Sequence, residues 1–318
     1  MSTPANDDRG ELAFIRHVRT LIEGSAPAPG RAPSAVPFGD DMASLGLGEA
    51  GLLWTVDMLM DGVDFDSREH SWHAIGRKAL AVNLSDCAAM AARPVAALCA
   101  LSLSHSLTMQ DALELMRGTQ ECGEEYGCPI VGGDTNSWDA PTVISITVAA
   151  QVPPGREPIR RDGARAGDRI WLTGPVGGSI LGRHLTFTPR VETALELAAA
   201  LRLRAMIDIS DGLALDLGRI LEASGCGAVL DAARLDAAIH PDAVRLADRD
   251  GQPARTHALH DGEDFELIVV LPAEVSASDC ARWNLLPIGQ MTAEAGLRLA
   301  LPNGGDELIP LRGWEHFR

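Results

Sequence analysis

Acidic side chains recur in this chain where predicted strands, turns and helices meet loops. Seven of them form a candidate set, namely Asp40, Asp41, Asp57, Asp86, Asp134, Asp208 and Asp211. Any single member is more readily explained as structural, because aspartate favours turns and helix caps for local reasons. Carboxylates crowded in one pocket would raise one another's pKa unless cations neutralise them, and almost no basic residues accompany this set. If the fold brings the acids together, the set predicts several bound Mg²⁺ ions, which prefer carboxylate oxygens and bridge to phosphate.

The stretch 205–217, AMIDISDGLALDL, indicates how such acids are presented. Its pattern predicts a strand followed by a helix, with Ser210 as the helix N-cap. Met206, Asp208 and Ser210 share one strand face. Backbone amides at the start of a helix favour an anion, whereas the carboxylates of Asp208 and Asp211 repel one. A cation between these two carboxylates is therefore expected to bind the phosphate.

Two further elements position acids in the amino-terminal half. Residues 52–57 predict a strand that ends at Asp57. A helix is expected over 72–92, with Asn83 and Asp86 on one side. Another helical pattern occupies 12–22.

Two glycine-containing stretches could approach a ligand closely. Residues 129–131 predict a short buried strand, followed by Gly132, Gly133 and, at the strand end, Asp134. The GPVGGS stretch at 174–179 lacks the spacing of a dinucleotide-binding loop and is more readily a turn. The sequence also lacks a GxxxxGK[ST] stretch, which excludes an ordinary P-loop kinase.

Composition limits the class of protein and its partners. A length of 318 residues suggests two domains, with a Pro-, Gly- and charge-rich boundary at 153–169. The net charge of -17 and the absence of a dense basic run argue against nucleic acid as a partner. No apolar run reaches the ~18 residues of a membrane helix, and the amino terminus is polar and acidic. The six cysteines lack metal-site spacing, so we expect reduced thiols in a soluble cytoplasmic protein without membrane contact.

Six longer stretches occur together in one order. They are GDD at 39–41, KALAVNLSDCAAM at 78–90, GGDT at 132–135, IDISDGLALDLGRI at 207–220, GEDFEL at 262–267 and IGQM at 288–291. Through them nearly the whole chain resembles the thiamine-monophosphate kinase family, whose superfamily also holds aminoimidazole ribonucleotide synthetase and selenophosphate synthetase.

The resemblance implies an α/β (α+β) fold of two domains. Residues 1–155 would form a dimerisation and metal- and ATP-binding domain, and residues 156–318 an α/β domain that completes the nucleotide and substrate site. The amino-terminal domains of a homodimer would pair to complete a barrel-like sheet. The nucleotide would lie between that dimer surface and the carboxy-terminal domain.

The resemblance also implies roles for individual residues. The metal ligands would be Asp41, Thr55, Asp57, Asp86, Asp134, Asp208 and, on a further ion, Asp211. The contacts to ATP would be Gly133, Asp134, Arg161 and Ser210. The residues near the acceptor would be Asp64, Glu263 and Trp314. Without the resemblance, Arg161, Glu263 and Trp314 are equally well explained as a linker charge, a turn acid and a tail anchor.

The implied reaction is direct in-line transfer of the ATP γ-phosphoryl group to thiamine monophosphate, which gives the diphosphate. A phosphate acceptor is already ionised at neutral pH, so we assign no general base. Positioning and charge neutralisation by a metal-carboxylate cluster are then sufficient.

Two positions depart from the family pattern and leave alternatives open. Asp64, in DGVDF, replaces a histidine that the family commonly places near the substrate, and Asp261 adds an acid beside Glu263 where glycine is usual. These acids favour a second hypothesis, a related ATP-dependent kinase or synthetase with another small-molecule acceptor. A third hypothesis is a catalytically silent nucleotide-binding regulatory protein, against which the retained metal acids argue.

Overall fold

The computed structural model describes residues 40–47 and 50–315, so the helical pattern at 12–22 lies outside the described part. The first half of this part contains five strands and two helices. In chain order they are β1 (Ala43–Leu47), β2 (Ala50–Met60), α1 (Trp72–Ala89), β3 (Arg93–Ser104), α2 (Met109–Tyr126), β4 (Ile130–Trp138) and β5 (Val143–Gln151).

These five strands form one sheet in the order β1-β2-β5-β3-β4. Neighbouring strands are antiparallel except β3 and β4, which are parallel. α1 packs on one face of the sheet and α2 packs on α1, while large apolar side chains on the other face stay exposed. Such a one-sided sheet alternates buried and exposed residues along its strands.

The strand predicted at 129–131 differs from the one observed. β4 extends to Trp138 at the edge of the sheet, and Val131 to Trp138 are exposed. The prediction of a short buried strand is therefore wrong, because apolar residues at 130–131 do not distinguish a central strand from an edge strand. Asp134 consequently lies within β4 rather than at its end.

The second half of the described part contains seven strands and seven α-helices. In chain order they are β6 (Arg169–Leu172), α3 (Arg183–Thr186), α4 (Val191–Ala200), β7 (Ala205–Asp208), α5 (Leu213–Ser224), β8 (Gly227–Asp231), α6 (Ala232–Ala237), α7 (Pro241–Asp250), α8 (Ala254–His260), β9 (Leu267–Leu271), α9 (Ala277–Cys280), β10 (Leu286–Thr292), β11 (Leu297–Ala300) and β12 (Asp306–Leu308). The strands form a mixed sheet in the order β12-β11-β8-β10-β6-β9-β7. The mixed α/β architecture with two sheets is thus confirmed, whereas the described chain forms no closed barrel.

Helix α1 lies at the centre of the molecule. It packs on β2, β3 and β5 of the first sheet and also on β7 and α4 of the second half. Its sequence is apolar on nearly all sides, as expected of a helix that is buried all round. The helix ends at Ala89, three residues before the predicted end.

Close glycine contacts fix α1 against α2. A Cβ atom on Gly76 would lie 1.9 Å from the carbonyl oxygen of Leu115, and one on Gly118 would lie 1.9 Å from that of His73. Only glycine permits this approach of two helix backbones. The side chains that α1 presents to its other neighbours are therefore held in place.

Within the described part of the chain, no helix is long and apolar enough to span a membrane.

Candidate active site

Three carboxylates from distant parts of the sequence meet where the two sheets approach. They belong to Asp41, just before β1, to Asp86 on α1, and to Asp208 at the end of β7. One oxygen from each lies within 4.8 Å of the others, a spacing that suits a shared metal ion. The structure therefore brings together three of the acids that the sequence nominated.

Strand β2 runs on to Met60 rather than ending at Asp57 as predicted, and it adds two more predicted residues to this group. The Thr55 hydroxyl donates a hydrogen bond to the Asp86 carboxylate. Asp57 Oδ2 is buried and has no hydrogen-bond partner among the described residues. An oxygen in that condition is normally satisfied by a ligand, because leaving it unpaired in the interior is unfavourable.

The pKa values of the grouped acids reflect this crowding. Burial, followed by the charges of Asp64, Asp211 and Asp41, raises the pKa of Asp57 to about 6. Burial and neighbouring carboxylates also raise the pKa of Asp86 and of Asp208 well above the ordinary value. The same neighbouring charges that oppose ionisation of these acids would favour a bound cation.

Two arginines lie beside these acids, so the expectation of almost no matching bases is wrong. Arg161 Nη2 lies 2.7 Å from Asp41 Oδ1, and Arg219 forms ion pairs with Asp211 and Asp216. Arg161 is 120 residues from Asp41 along the chain. Linear spacing therefore gave no sign of the pairing between Arg161 and Asp41.

The turn after β7 differs from its prediction in one respect. Helix α5 begins after Gly212, whose φ is 124°, and no side chain caps it by accepting a hydrogen bond, so Ser210 is not the N-cap. Instead the Asp216 carboxylate accepts hydrogen bonds from the amides of Asp211 and Gly212, each at 3.0 Å. Ser85 Oγ donates to Asp208 Oδ2 at 2.6 Å and joins α1 to this turn.

The predicted acceptor residues Asp64, Glu263 and Trp314 lie in three separate segments of the described chain. The Asp64 carboxylate accepts a hydrogen bond from the Met60 amide at 2.7 Å, which closes the turn after β2. Burial raises the pKa of Glu263, and the charges of Asp64 and Asp211 add to this rise. Trp314, 47% exposed, donates its amide to the carbonyl of Asp211 at 2.9 Å.

Glu263 belongs to a turn that is held in an uncommon conformation. Its φ of 52° lies in the left-handed region that non-glycine residues rarely adopt. Its amide donates to the Ser210 carbonyl at 2.7 Å, and the amide of Phe265 donates to the Ile209 carbonyl at 2.8 Å. Strain of this kind persists where surrounding contacts enforce it, often at functional sites.

Lys78 is a site residue that the sequence reasoning missed. Its ammonium donates to the Asp64 carbonyl and pairs with the Glu263 carboxylate. The available signal was its position among Ile75, Ala79 and Val82 on the apolar side of a predicted helix. A charged side chain on such a face rarely stays buried without a partner.

Asp261 and the glycine-rich turn have structural contacts. The Asp261 carboxylate lies 3.0 Å from His257 Nδ1, so it pairs with that ring rather than extending the acidic group of Glu263. The Gly177 amide donates to the Asp264 carboxylate at 2.8 Å. Because a carboxylate already accepts from this amide, the GPVGGS stretch is a turn fixed by a buried acid.

Gly133 and Asp134 lie apart from the three-carboxylate group. Strand register places Gly133 beside Cys99, Cys99 beside Ile146, and Ile146 beside Asp57. Three strand spacings separate Gly133 from Asp57, about 14 Å along the sheet. Their roles in binding metal and ATP remain predictions.

Comparison with known proteins places this site in a family. The models of the AIR synthase related protein match over residues 39–152 for its N-terminal domain and 165–301 for its C-terminal domain. The thiamine-monophosphate kinase of Rhodopirellula baltica is 40% identical over 263 residues, which are 82% of each protein. That of Synechococcus elongatus is 31% identical over 346 residues, covering 100% of this chain and 99% of the relative. The chain belongs to the thiamine-monophosphate kinase family.

Solved structures agree with this membership of the thiamine-monophosphate kinase family. The structure of AaThiL complexed with AMPPCP and TMP has a TM-score of 0.81 and 25% identity, with 100% of both chains covered. The thiamine-monophosphate kinase of Stenotrophomonas maltophilia has a TM-score of 0.69 and 31% identity, covering 91% of this chain and 95% of the other. E. coli HypE, a hydrogenase maturation protein, is 19% identical with a TM-score of 0.70 over 83% of this chain and 87% of the other, and so shares the fold.

Proposed function

We propose that this protein transfers the γ-phosphoryl group of ATP to thiamine monophosphate and forms thiamine diphosphate and ADP. The observation that carries the proposal is the group of Asp41, Asp86 and Asp208, with the partnerless buried oxygen of Asp57 beside it among the described residues. The relatives named as thiamine-monophosphate kinases, and the AaThiL complex with an ATP analogue and TMP, support the two substrates.

The residues present fit Mg²⁺. Every ligand atom offered is a hard oxygen, supplied by Asp41, Asp57, Asp86, Asp208 and the Thr55 hydroxyl. Asp211, paired with Arg219, is proposed to hold a further ion together with ATP phosphates, and Asp134 is proposed as another ligand. Bound Mg²⁺ would neutralise charge on the phosphates and hold them in line for transfer.

The chain's own groups then position the reactants. Arg161, whose guanidinium pairs with Asp41, is proposed to contact the ATP phosphates. Ser210 and Gly133 are proposed as further ATP contacts. The acceptor phosphate is ionised at neutral pH and attacks directly, so no residue is needed to remove a proton.

We propose that Glu263 and Trp314 border the acceptor on the carboxy-terminal side and that Asp64 borders it on the amino-terminal side. The charge of Asp64 raises the pKa of both Asp57 and Glu263, which agrees with a position near both groups. This negative border favours a second candidate, an acceptor other than thiamine monophosphate that carries positive charge or hydroxyl groups. A panel of phosphorylated and hydroxylated acceptors separates the two candidates.

We also propose a homodimer formed through the uncovered face of the first sheet. Val56 and Met58 on β2 are 61% and 60% exposed, and Leu98 on β3 is 44% exposed. Along the same sheet, β4 is an edge strand with Val131 64% exposed. A second copy that covers this face would complete the barrel-like sheet and bring the Gly133 segment of one subunit toward the site region. A cytoplasmic location agrees with a biosynthetic kinase and is part of the proposal.

The deciding experiment measures thiamine diphosphate and ADP formed from Mg-ATP, with and without thiamine monophosphate. We expect equal amounts of both products in the wild type, and at least about a 100-fold loss of kcat in Asp208→Asn, because charge neutralisation supplies much of the rate. Asp168→Asn is the matched control, since Asp168 is a buried acid whose carboxylate lies beside Arg204 and outside the three-carboxylate group. Release of ADP that does not depend on thiamine monophosphate would exclude this acceptor.

A further inference from the structure

Lys78 is the only lysine of the chain. The sequence contains 27 lysine and arginine residues, and all the others are arginine. In every other ion pair of the described residues, the basic partner of the carboxylate is arginine or histidine. The one site that uses an ammonium group is buried, with the Lys78 side chain 1% exposed.

The ammonium of Lys78 joins two segments that border the acceptor region. Nζ donates a hydrogen bond to the backbone carbonyl of Asp64 at 2.6 Å. It also pairs with Glu263, which lies 185 residues further along the chain. One buried charge thus holds the turn after β2 and the strained Glu263 turn together.

The groups around Lys78 leave the Glu263 carboxylate and the Asp64 carbonyl as the partners of its ammonium. The ring of His184 lies nearby, and burial together with the Lys78 charge lowers the pKa of His184 to about 4, so this ring is neutral at physiological pH. His184 Nδ1 is engaged with the Ser179 carbonyl at 3.0 Å. The negative charge that faces Lys78 therefore comes from Glu263, with Asp64 contributing its carbonyl dipole.

Helix α1 connects Lys78 to the metal acids. Ser85 and Asp86 follow Lys78 by about two helical turns, which places all three on one side of the helix. With a rise of 1.5 Å per residue, Lys78 and Asp86 are about 12 Å apart along the axis. α1 is fixed by its glycine contacts with α2, so it sets the distance between the acceptor segments and the carboxylate group.

We propose that Lys78 is a positioning residue for the acceptor, which acts through the Asp64 backbone and the Glu263 carboxylate. This inference rests on the proposed function. Lysine suits the task because its compact ammonium reaches a carbonyl and a carboxylate at once, whereas a planar guanidinium would need more space and another geometry. A buried carboxylate paired for a purely structural role would accept arginine, as Asp264 does with Arg183 and Glu266 does with Arg190.

The single lysine permits a direct test on the wild-type protein. Labelling with ¹³Cε,¹⁵Nζ-lysine gives one side-chain NMR signal that needs no assignment. We expect this signal to shift when thiamine monophosphate binds and to shift less with Mg-AMPPCP alone. An unchanged signal at an acceptor concentration that calorimetry shows to be saturating would overturn the inference, and absence of acceptor binding in calorimetry would instead count against the proposed function.

Kinetics of two Lys78 variants provide the second test. We expect Lys78→Met and Lys78→Arg to lower kcat/KM for the acceptor by about 100-fold, while KM for ATP changes by less than about 3-fold. Arg77→Met is the matched control, because Arg77 is the adjacent residue on α1 and faces Glu125 on α2. It should keep kcat/KM for the acceptor within about 3-fold of the wild type.

Several kinetic outcomes would count against the positioning role. A Lys78→Arg variant that keeps the kcat/KM of the wild type for the acceptor would show a purely structural ion pair and refute this role. Equal losses for acceptor and ATP would refute it as well. A wild type that does not use the acceptor removes the proposed function and with it this inference, and if Lys78→Met does not fold, the NMR measurement and Lys78→Arg decide.

Discussion

Replacement of Asp57 by asparagine should stabilise the metal-free protein at neutral pH. Asp57 is buried, its Oδ2 has no hydrogen-bond partner among the described residues, and its pKa rises from 3.8 to about 6. Each pKa unit corresponds to about 1.36 kcal/mol, so ionisation of this carboxyl destabilises the folded protein by about 3 kcal/mol above about pH 6. Asparagine has nearly the same shape and no charge, so it removes this penalty.

The sign of the pH dependence follows from the direction of the shift. Between about pH 4 and about pH 6 the folded protein holds the Asp57 proton while the unfolded chain releases it. The contribution of Asp57 to the free energy of unfolding therefore falls as the pH rises through this window and is constant above it. The gain from Asp57→Asn should be largest above about pH 6 and vanish near about pH 4.

Urea unfolding in EDTA, followed across this pH range, measures the effect. Asp168→Asn is the control, because Asp168 accepts a hydrogen bond from the Arg165 amide and lies beside Arg204, so its loss should lower stability. Added Mg²⁺ should stabilise the wild type more than Asp57→Asn. A ligand stabilises a folded protein in proportion to how well it binds the folded state, and the variant lacks one of the proposed Mg²⁺ ligands. The reasoning is refuted if Asp57→Asn is no more stable than the wild type in EDTA at about pH 7.5, or if its gain is independent of pH.

Two further predictions concern the dimer and the glycine-rich turn. Met58→Asp, on the uncovered sheet face, should change a dimer into a monomer in light scattering, because a buried unpaired charge disfavours association. Met109→Asp, at a position 76% exposed on α2, should leave the mass unchanged, and a dimer in both variants would contradict the proposed interface. Gly177→Ala should lower the free energy of unfolding by about 2 kcal/mol or more in urea titrations, because its φ is 96° and a Cβ would lie 2.7 Å from Ala258 backbone atoms. Gly225→Ala, with a φ of 65° and no atom within 4 Å, should cost about 1 kcal/mol, and equal losses would show that the close contact is unimportant.

Local patterns were sufficient to predict the elements that carry most of the candidate site. The strand that carries Asp57, the helix with Asp86 and the strand ending at Asp208 all occur, because β2 alternates buried and exposed residues while α1 and β7 are apolar enough to be buried on nearly all sides. The sequence does not predict that Asp41, Asp86 and Asp208 converge, because sequence spacing does not determine how two sheets meet. The structure supplies that convergence through α1, which contacts both sheets.

The predictions that were wrong share a physical cause. In each case a contact with residues elsewhere in the fold outweighs the conformation that the local sequence favours. Ser210 is a good N-cap by type, but Asp216 from the first turn of α5 already accepts hydrogen bonds from the preceding amides. Val131 suggests a buried strand, but β4 lies at a sheet edge that the monomer leaves uncovered. Arg161 and Lys78 find their partners 120 and 185 residues away, and no local rule reports such pairs.

The central position of α1 has a consequence for folding during synthesis. α1 is complete at residue 89, yet β7, one of its packing partners, ends at residue 208. At about 5–20 residues per second the ribosome needs roughly 6 to 24 s to make the intervening segment. Throughout that interval the apolar side of α1 that later packs on β7 is exposed on the nascent chain. The amino-terminal sheet therefore reaches its final packing only after much of the second half has emerged, although all of its own strands were made earlier.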